Sequence, residues 1–166
     1  MGPHPDGPRR RLPQRRRRGG GGLLRGGHGP PRAVSPGPQR QAIVAVLFRA
    51  DRVLVIRRAA GVARPGYWQP LSGKLEPGET QREAVIREVR EEVGLTVVPL
   101  AKVWESETDD GVFRLHWWTA RADDGEVVPD PSEVADTRWI LPAEFPALDP
   151  VFEGDLDFFD RILPSL

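Results

Sequence analysis

Hydrophobic positions along this chain change period several times, and each change marks an element. Residues 42–49, "AIVAVLFR", are apolar and β-branched, and "VLVIRR" at 53–58 follows after a short "ADR" break, so the two read as a β-hairpin. "AAGVARPGYW" is a loop, and a short extended piece at 68–71 comes after it. A helix is predicted over about 80–93. The strand "LTVVPLAKVWESE" comes next, then the turn "TDDG" and the returning strand "VFRLHWWTARA". "DDGEVVPDPSE" is an acidic loop, "VADTRWI" a last strand, and "PAEFPAL" a short helical turn. In the tail, Phe152, Leu156, Phe159 and Leu163 fall at helical spacing and predict a closing helix. Strands with helices before and after them suggest an α+β fold, an α-β-α sandwich in which a mixed sheet lies between helices. No internal repeat is visible.

The helix over 80–93 carries explicit boundary signals. In "EPGE" Pro77 fixes φ at the second position of a type II turn, and Gly78 supplies positive φ at the third. Thr80 with Glu83 three residues on is a capping box, and Gly94 is the glycine that ends the helix. At about 100° per residue, Val85, Ile86, Val89 and Val93 form an apolar stripe facing the sheet, and Glu88, Glu91 and Glu92 form a second stripe beside it. Glu83, Arg87 and Glu91 are spaced for ion pairs. Glu88 and Glu92 have no basic partner at i±3 or i±4, and Glu91 and Glu92 sit at the negative end of the helix dipole. Such a cluster makes sense when a cation supplies the missing charge. Carboxylate oxygens without His or Cys suit a hard ion, Mg²⁺ or Mn²⁺, which takes its remaining ligands from water and from substrate phosphates.

Composition divides the chain of 166 residues, whose net charge is zero. Residues 1–40 hold ten Arg and one acid, a net of +9, whereas residues 41–166 hold 14 Lys+Arg and 23 Asp+Glu, a net of −9. The expected organisation is a disordered Arg/Gly/Pro-rich arm over 1–40 and a folded domain over 41–166. The arm reads either as an electrostatic tether for nucleic acid or another polyanion, or as a dispensable tail or translation upstream of the true start. With no cysteine there is no disulfide framework, zinc–thiolate site or thiol nucleophile. No apolar run approaches the ~20 residues of a membrane span, and no secretory signal follows the Arg clusters. The expectation is a cytoplasmic protein without membrane attachment, monomer or homodimer.

Gly73, five residues, Glu79, seven residues and then "REVREEVGL" resembles the box of the Nudix hydrolases, G-x5-E-x7-R-E-U-x-E-E-x-G-U with U apolar, at every position. The pre-box "YWQPLSGKLEPGE" and the terminal "RWILPAEFPAL" extend the likeness over about 41–166. The resemblance implies a Nudix fold and water attack on phosphorus in a nucleoside diphosphate linked to some group X. It implies that Glu88, Glu91 and Glu92 hold divalent metal, with Glu91 or Glu92 also orienting the water. Arg87 would pair with Glu79 to fix the loop on the helix, Glu76 would be a further metal contact, and Gly73 would offer its carbonyl. Ser72 stands where many relatives have Gly, which questions the local backbone conformation.

Substrate signals are sparser. Trp68 and Trp118 are candidates for stacking on a base, and Lys74 and Glu133 for substrate contacts, Glu133 as an extra base or ligand. Glu105 is a second such acid, Trp104 and Trp139 are expected on neighbouring strands, and His116 reads as a strand-face residue. The Pro of the ADP-ribose type, the Tyr of the diadenosine-polyphosphate type, the Pro-rich signature and zinc cysteines of the NADH type, and the cysteine of isopentenyl-diphosphate isomerase are all missing from their places. What remains is similar to the MutT-like 8-oxo-dGTP diphosphatases, whose "GGK-x-E-x-G-E" matches "SGKLEPGE". The expected reaction is a (d)NTP or oxidised dNTP to NMP and pyrophosphate. ADP-ribose, nucleotide sugars, dinucleotides and RNA 5′ ends are the alternative substrates.

Overall fold

A computed structural model describes residues 39–166; residues 1–38 of the expected arm lie outside the described residues, and Arg40, placed in the arm, instead begins the first strand. Seven strands form one mixed sheet. Strands β1 (Arg40–Arg49) and β2 (Arg52–Arg58) are joined by a tight turn through Ala50, whose φ is 52°, and Asp51. They pair antiparallel only at Phe48↔Val53 and Arg49↔Arg52, so the predicted hairpin is short. The rest of that edge of β1 is taken by β4 (Leu71–Lys74), with Ile43 opposite Gly73. On its other edge β1 runs parallel to β6 (Phe113–Ala122), which pairs antiparallel with β5 (Val97–Glu107). Strand β2 pairs with β7 (Val134–Ile140) and with the two-residue β3 (Trp68–Gln69). The single extended piece expected at 68–71 is thus two strands broken at Pro70, which has no N–H to give a ladder.

The continuous apolar run of β1 is explained by burial on both faces. Ile43, Ala45 and Leu47 join the core under helix α1 (Gln81–Val93), together with Val85, Val89 and Val93. Val44 and Val46 point the other way, into a second core with Trp117, Phe145, Phe158 and Phe159. That core is closed by a 3₁₀ turn (Pro142–Ala147), the short helix α2 (Glu153–Asp157) and a π-helical turn (Phe158–Ile162). The sheet therefore lies between helical layers, as the sequence pattern predicts.

Two helix faces differ from their predicted positions. Ile86 is 42% exposed, and the buried face of α1 is Ala84, Val85, Val89, Glu92 and Val93. The arc facing the sheet is centred toward the glutamates, and Ile86 falls at its outer edge. In the tail, Phe159 of the predicted stripe is buried and Leu156 and Leu163 pack partly buried on the second core, but Phe158 joins them in it and Phe152 does not. The wider π turn lets two adjacent rings enter the core. Phe158 stacks on Trp117 at 4.4 Å and Phe159 on Phe145 at 4.0 Å, contacts adding about 0.5–1.5 kcal/mol each beyond their burial. No helix among the described residues is long and apolar enough to cross a membrane.

Candidate active site

The site is built where β4, the following loop and α1 meet. The loop turns as predicted. Gly78 has φ of 77°, and the Glu79 N–H donates to the Glu76 carbonyl at 3.1 Å. Thr80 Oγ1 accepts from the Glu83 N–H at 3.2 Å, and Glu83 Oε2 accepts from the Thr80 N–H at 2.8 Å, completing the capping box. Gly94, with φ of 70°, closes the far end.

Arg87 ties this loop to the helix. Its Nε and Nη2 donate to the two oxygens of Glu79 at 2.7 and 3.0 Å, and Nη2 also reaches the Lys74 carbonyl at 3.0 Å. Nη1 donates to Glu88 at 2.7 Å and to Glu91 at 3.2 Å. These are five contacts for a group that has five N–H donors. The pairing holds the Glu79 carboxyl below its ordinary range and raises the guanidinium. The predicted Arg87–Glu91 pair is formed, but Glu83 is committed to the cap. Glu88, read as unpaired from its i±3 and i±4 neighbours, is reached by the residue just before it. Glu76 is the outermost of the group, 3.8 Å from Arg87 and well exposed.

The three glutamates differ sharply in surroundings. Glu91 is exposed. Glu88 is mostly buried, and that burial raises its pKa against the pull of Arg87. Glu92 is only 8% exposed, its Oε2 has no hydrogen-bond partner, and burial, then the charges of Glu88 and Glu133, push it up to about 8. By helix geometry Glu92 lies about 20° around the axis from the buried Val85, so the chain directs a carboxylate into its own packed face. Gly73 is needed beside it, because a Cβ there would stand 1.9 Å from the Glu88 carboxyl carbon. Ser72 is regular strand paired with Val44, and its Oγ accepts from Gln69 Nε2 at 3.2 Å. The departure from Gly-Gly does not distort the backbone.

Glu88, Glu91 and Glu92 line one part of a cavity of about 950 Å³, with Gly73, Lys74 and Glu133. Of the residues predicted to contact substrate, Lys74 and Glu133 therefore face it. Trp68 and Trp118 do not. Trp68 is buried in the second core under the Arg138 guanidinium at 4.4 Å, and it is the next residue, Gln69, that lines the cavity. Trp118 packs on the α1 side, donating to Gln81 at 2.9 Å, whereas its odd-numbered neighbours Phe113 and Leu115 line the cavity. Both differences are one step of strand parity, which reverses the face. Glu105 pairs with Lys102 at 2.6 Å and lies 3.0 Å from His116 Nδ1, outside the cavity. His116 is buried in the sheet, where burial outweighs Glu105 and keeps its pKa below the ordinary value. Trp104 is next to Trp117 as expected, but Trp139 is on β7, beside β2.

Sequence reasoning missed Arg58, Gln69, Phe113, Phe152 and Asp155, all of which line the cavity. Arg58 donates from Nε to the Ala63 carbonyl at 2.6 Å and from Nη1 to Gln69 at 3.3 Å, and burial lowers its pKa despite the charges of Glu92, Glu133 and Asp155. A signal for Asp155 was present, since an acid three residues after Phe152 and four before Phe159 lies on the face expected to be apolar.

The donor set suits a hard divalent cation, being carboxylate oxygen without sulfur or imidazole. Glu92 Oε2, buried and unpartnered, is the observation that fits such an ion. No preformed cage exists among the described residues, because Arg87 holds Glu88 and Glu91.

The NUDIX domain family model matches residues 38–162. The chain is 34% identical over 80 residues to the CTP pyrophosphohydrolase of Escherichia coli (strain K12), covering 47% of this chain and 59% of that protein. It is 33% identical over 107 residues to the NAD-capped RNA hydrolase NudC of Stutzerimonas stutzeri (strain A1501), covering 64% of this chain and 38% of that one. The chain thus spans less than two thirds of either relative's length. Among solved structures, a MutT NUDIX hydrolase from Burkholderia pseudomallei superposes with a TM-score of 0.66 at 21% identity, over 75% of this chain and 98% of that chain. A NUDIX hydrolase from Nitrosomonas europaea gives a TM-score of 0.66 at 20% identity, over 74% and 71%. At these identities the superpositions speak for the fold alone.

Proposed function

This chain belongs to the Nudix family, and from that premise we propose that it hydrolyses the diphosphate linkage of a nucleoside triphosphate with Mg²⁺ or Mn²⁺. The leading substrate is a (d)NTP or an oxidised dNTP of the 8-oxo-dGTP type, split to NMP and pyrophosphate. The observation that carries the reading is Glu92, a carboxylate held in the packed face of α1 with an unpartnered oxygen, beside Glu88 and at the wall of the cavity described above. A folded chain accepts that cost, a few kcal/mol for an uncompensated buried charge, where a counter-ion completes the site.

Glu88, Glu91 and Glu92 are the residues that would hold the ion, with the Gly73 carbonyl and Glu76 as further contacts. When bound, such an ion lowers the pKa of a water and neutralises charge on the leaving phosphate. Glu91 or Glu92 orients the attacking water, and Glu133, whose charge reaches Glu92, is a second acid able to accept its proton. Arg87 and Glu79 act as positioning residues through their paired contact. Lys74 and Arg58 are cations on the same cavity wall and suit the polyphosphate.

The likeness to the CTP pyrophosphohydrolase supports a nucleoside triphosphate. A second reading, a dinucleotide or capped RNA 5′ end, is favoured by the likeness to the NAD-capped RNA hydrolase. A product screen with Mg²⁺ or Mn²⁺ over (d)NTPs, 8-oxo-dGTP, ADP-ribose, NAD⁺, nucleotide sugars and NAD-capped RNA tests both. Pyrophosphate release from triphosphates is the expected result. Turnover of capped RNA or NAD⁺ alone selects the second reading, and no turnover of any member overturns both.

A further inference from the structure

Strand β4 brings one more polar group to the cavity that the diphosphate chemistry does not use. Ser72 and Lys74 lie opposite Val44 and Ala42 of β1, so both side chains share the face on which Val44 enters the second core. Ala42, Val44, Phe113 and Leu115 make this wall of the cavity largely apolar, and Ser72 sets a hydroxyl into it. Lys74 stands two residues on, its Nζ 5.7 Å from the centre of the Phe113 ring. The direction of the hydroxyl follows from its neighbours. Arg58 Nη1 lies 3.3 Å from Gln69 Oε1, and a guanidinium can only donate, so the amide oxygen of the buried Gln69 faces it. Gln69 Nε2 is then the end that meets Ser72 Oγ, at 3.2 Å, and it too can only donate. Ser72 Oγ is therefore the acceptor of that bond, and its own proton is left over. Among the described residues nothing accepts that proton, although Ser72 lines the cavity.

We propose that Ser72 is a substrate-binding residue that donates its hydroxyl proton to a phosphate oxygen beside the Lys74 ammonium, with Gln69 as the positioning residue that keeps the hydroxyl turned that way. The inference rests on the nucleotide-hydrolase reading above. An acceptor is what the hydroxyl lacks, and the cations Lys74 and Arg58 on the same cavity wall favour an anionic one. At the rise of a strand, Ser72 and Lys74 are about 7 Å apart, within reach of one polyphosphate. The order of bonds runs from a group that can only donate, Arg58, through Gln69 to Ser72, so the polarity at the cavity end is fixed before a substrate arrives. A Gly at this position, as many relatives have, offers no such proton, and the contact belongs to this chain's own sequence.

The test is a cycle between protein and substrate. It measures kcat and KM of the full chain on the best nucleoside triphosphate and on its α-, β- and γ-phosphorothioates, each diastereomer separately, for wild type, Ser72→Ala, Ser72→Thr and Gln69→Glu. Ser72→Ala should raise KM for the all-oxygen substrate about 10-fold, with kcat within about 2-fold. Sulfur is a weak acceptor, so one phosphorothioate should raise the wild-type KM by a similar factor and leave Ser72→Ala unmoved. Effects of sulfur on the metal are common to both proteins and cancel in the cycle. Gln69→Glu reverses the order of bonds, because a carboxylate only accepts and draws the Ser72 proton to itself, so this variant should lose the sulfur sensitivity too. Ser72→Thr, which keeps the hydroxyl in a strand that suits β-branched residues, should retain it. A change in Ser72→Ala confined to the thermal midpoint, or an equal sulfur effect in wild type and Ser72→Ala for every analogue, overturns the inference and leaves the reaction standing. Wild type inactive on every nucleotide overturns the reaction and the inference together.

Discussion

Glu92 shows how one residue can be legible as a chemical class yet not in its placement. Its spacing beside Glu88 and Glu91 predicts a cation site from the sequence, but only packing against the sheet makes it the buried member of the set. Replacing it with Gln removes charge and keeps shape. Glu92→Gln should lower Mg²⁺-dependent kcat by at least about 100-fold, which is roughly 3 kcal/mol of lost stabilisation. In EDTA the same variant should unfold at a higher temperature than wild type, since an uncompensated buried carboxylate has been removed. Wild-type turnover in the variant at saturating metal would show that the metal site is wrongly assigned. Gly73 has its own prediction. Gly73→Ala places a methyl where the Glu88 carboxyl lies, so it should cut activity while the far-ultraviolet circular dichroism stays that of wild type.

At the scale of elements, the loop–helix unit is the part most fully written in local sequence. Turn, capping box, helix and terminal glycine all depend on contacts within a few residues, and each is found where Pro77, Gly78, Thr80, Glu83 and Gly94 place it. Thr80→Ala should cost about 1 kcal/mol of stability, measured by denaturant midpoint, with kcat nearly unchanged. Arg87→Lys should behave differently. Lysine cannot reproduce the bidentate contact to Glu79 along with the contacts to Lys74, Glu88 and Glu91, so activity should fall about 10–100-fold. A variant with lowered stability but wild-type kcat would leave Arg87 as a brace of the loop and nothing more. The tail helix keeps Leu156, Phe159 and Leu163 of its predicted stripe on the second core and adds Phe158. Its period gives way to a π turn that allows Phe158 and Phe159 to be buried side by side.

For the whole molecule, the three raised carboxyls, Glu88, Glu92 and Asp155, predict a pH dependence with a definite sign. Glu92 and Asp155 are each pushed up to about 8 in the folded chain, so between their unfolded values and pH 8 the folded state holds more protons than the unfolded one. Their contribution to stability is present at low pH and is lost as pH rises through about 8. In EDTA, unfolding free energy should drop by roughly 1–3 kcal/mol from pH 7 to 9. His116 is lowered and titrates below this window, as does Glu79. Mg²⁺ should reduce the drop and raise the midpoint more at pH 8.5 than at pH 6.5, because its ligands must be deprotonated. A midpoint rising with pH in EDTA would refute the buried-acid account. The proposed arm is tested by deleting residues 1–40, which should leave triphosphate turnover unchanged; if it serves as a tether, RNA turnover alone should fall.

The sequence by itself determined the strands, the mixed sheet between helices, the loop–helix unit and the metal-type carboxylate cluster. These follow from period, turn chemistry and fixed spacing, which act over a few residues. Tertiary structure decided which faces point where and what meets in the cavity. Trp68 and Trp118 turned away from it by one step of strand parity, and Ile86 turned out to solvent. Arg58, Phe113, Phe152 and Asp155 came in from β2, β6 and the tail. The physical reason is that such a wall is made by strand register and by the docking of Pro150 and Val151 on Trp68, long-range contacts that leave no period in the chain. The carboxylate cluster was therefore readable locally, while the rest of the cavity wall was not.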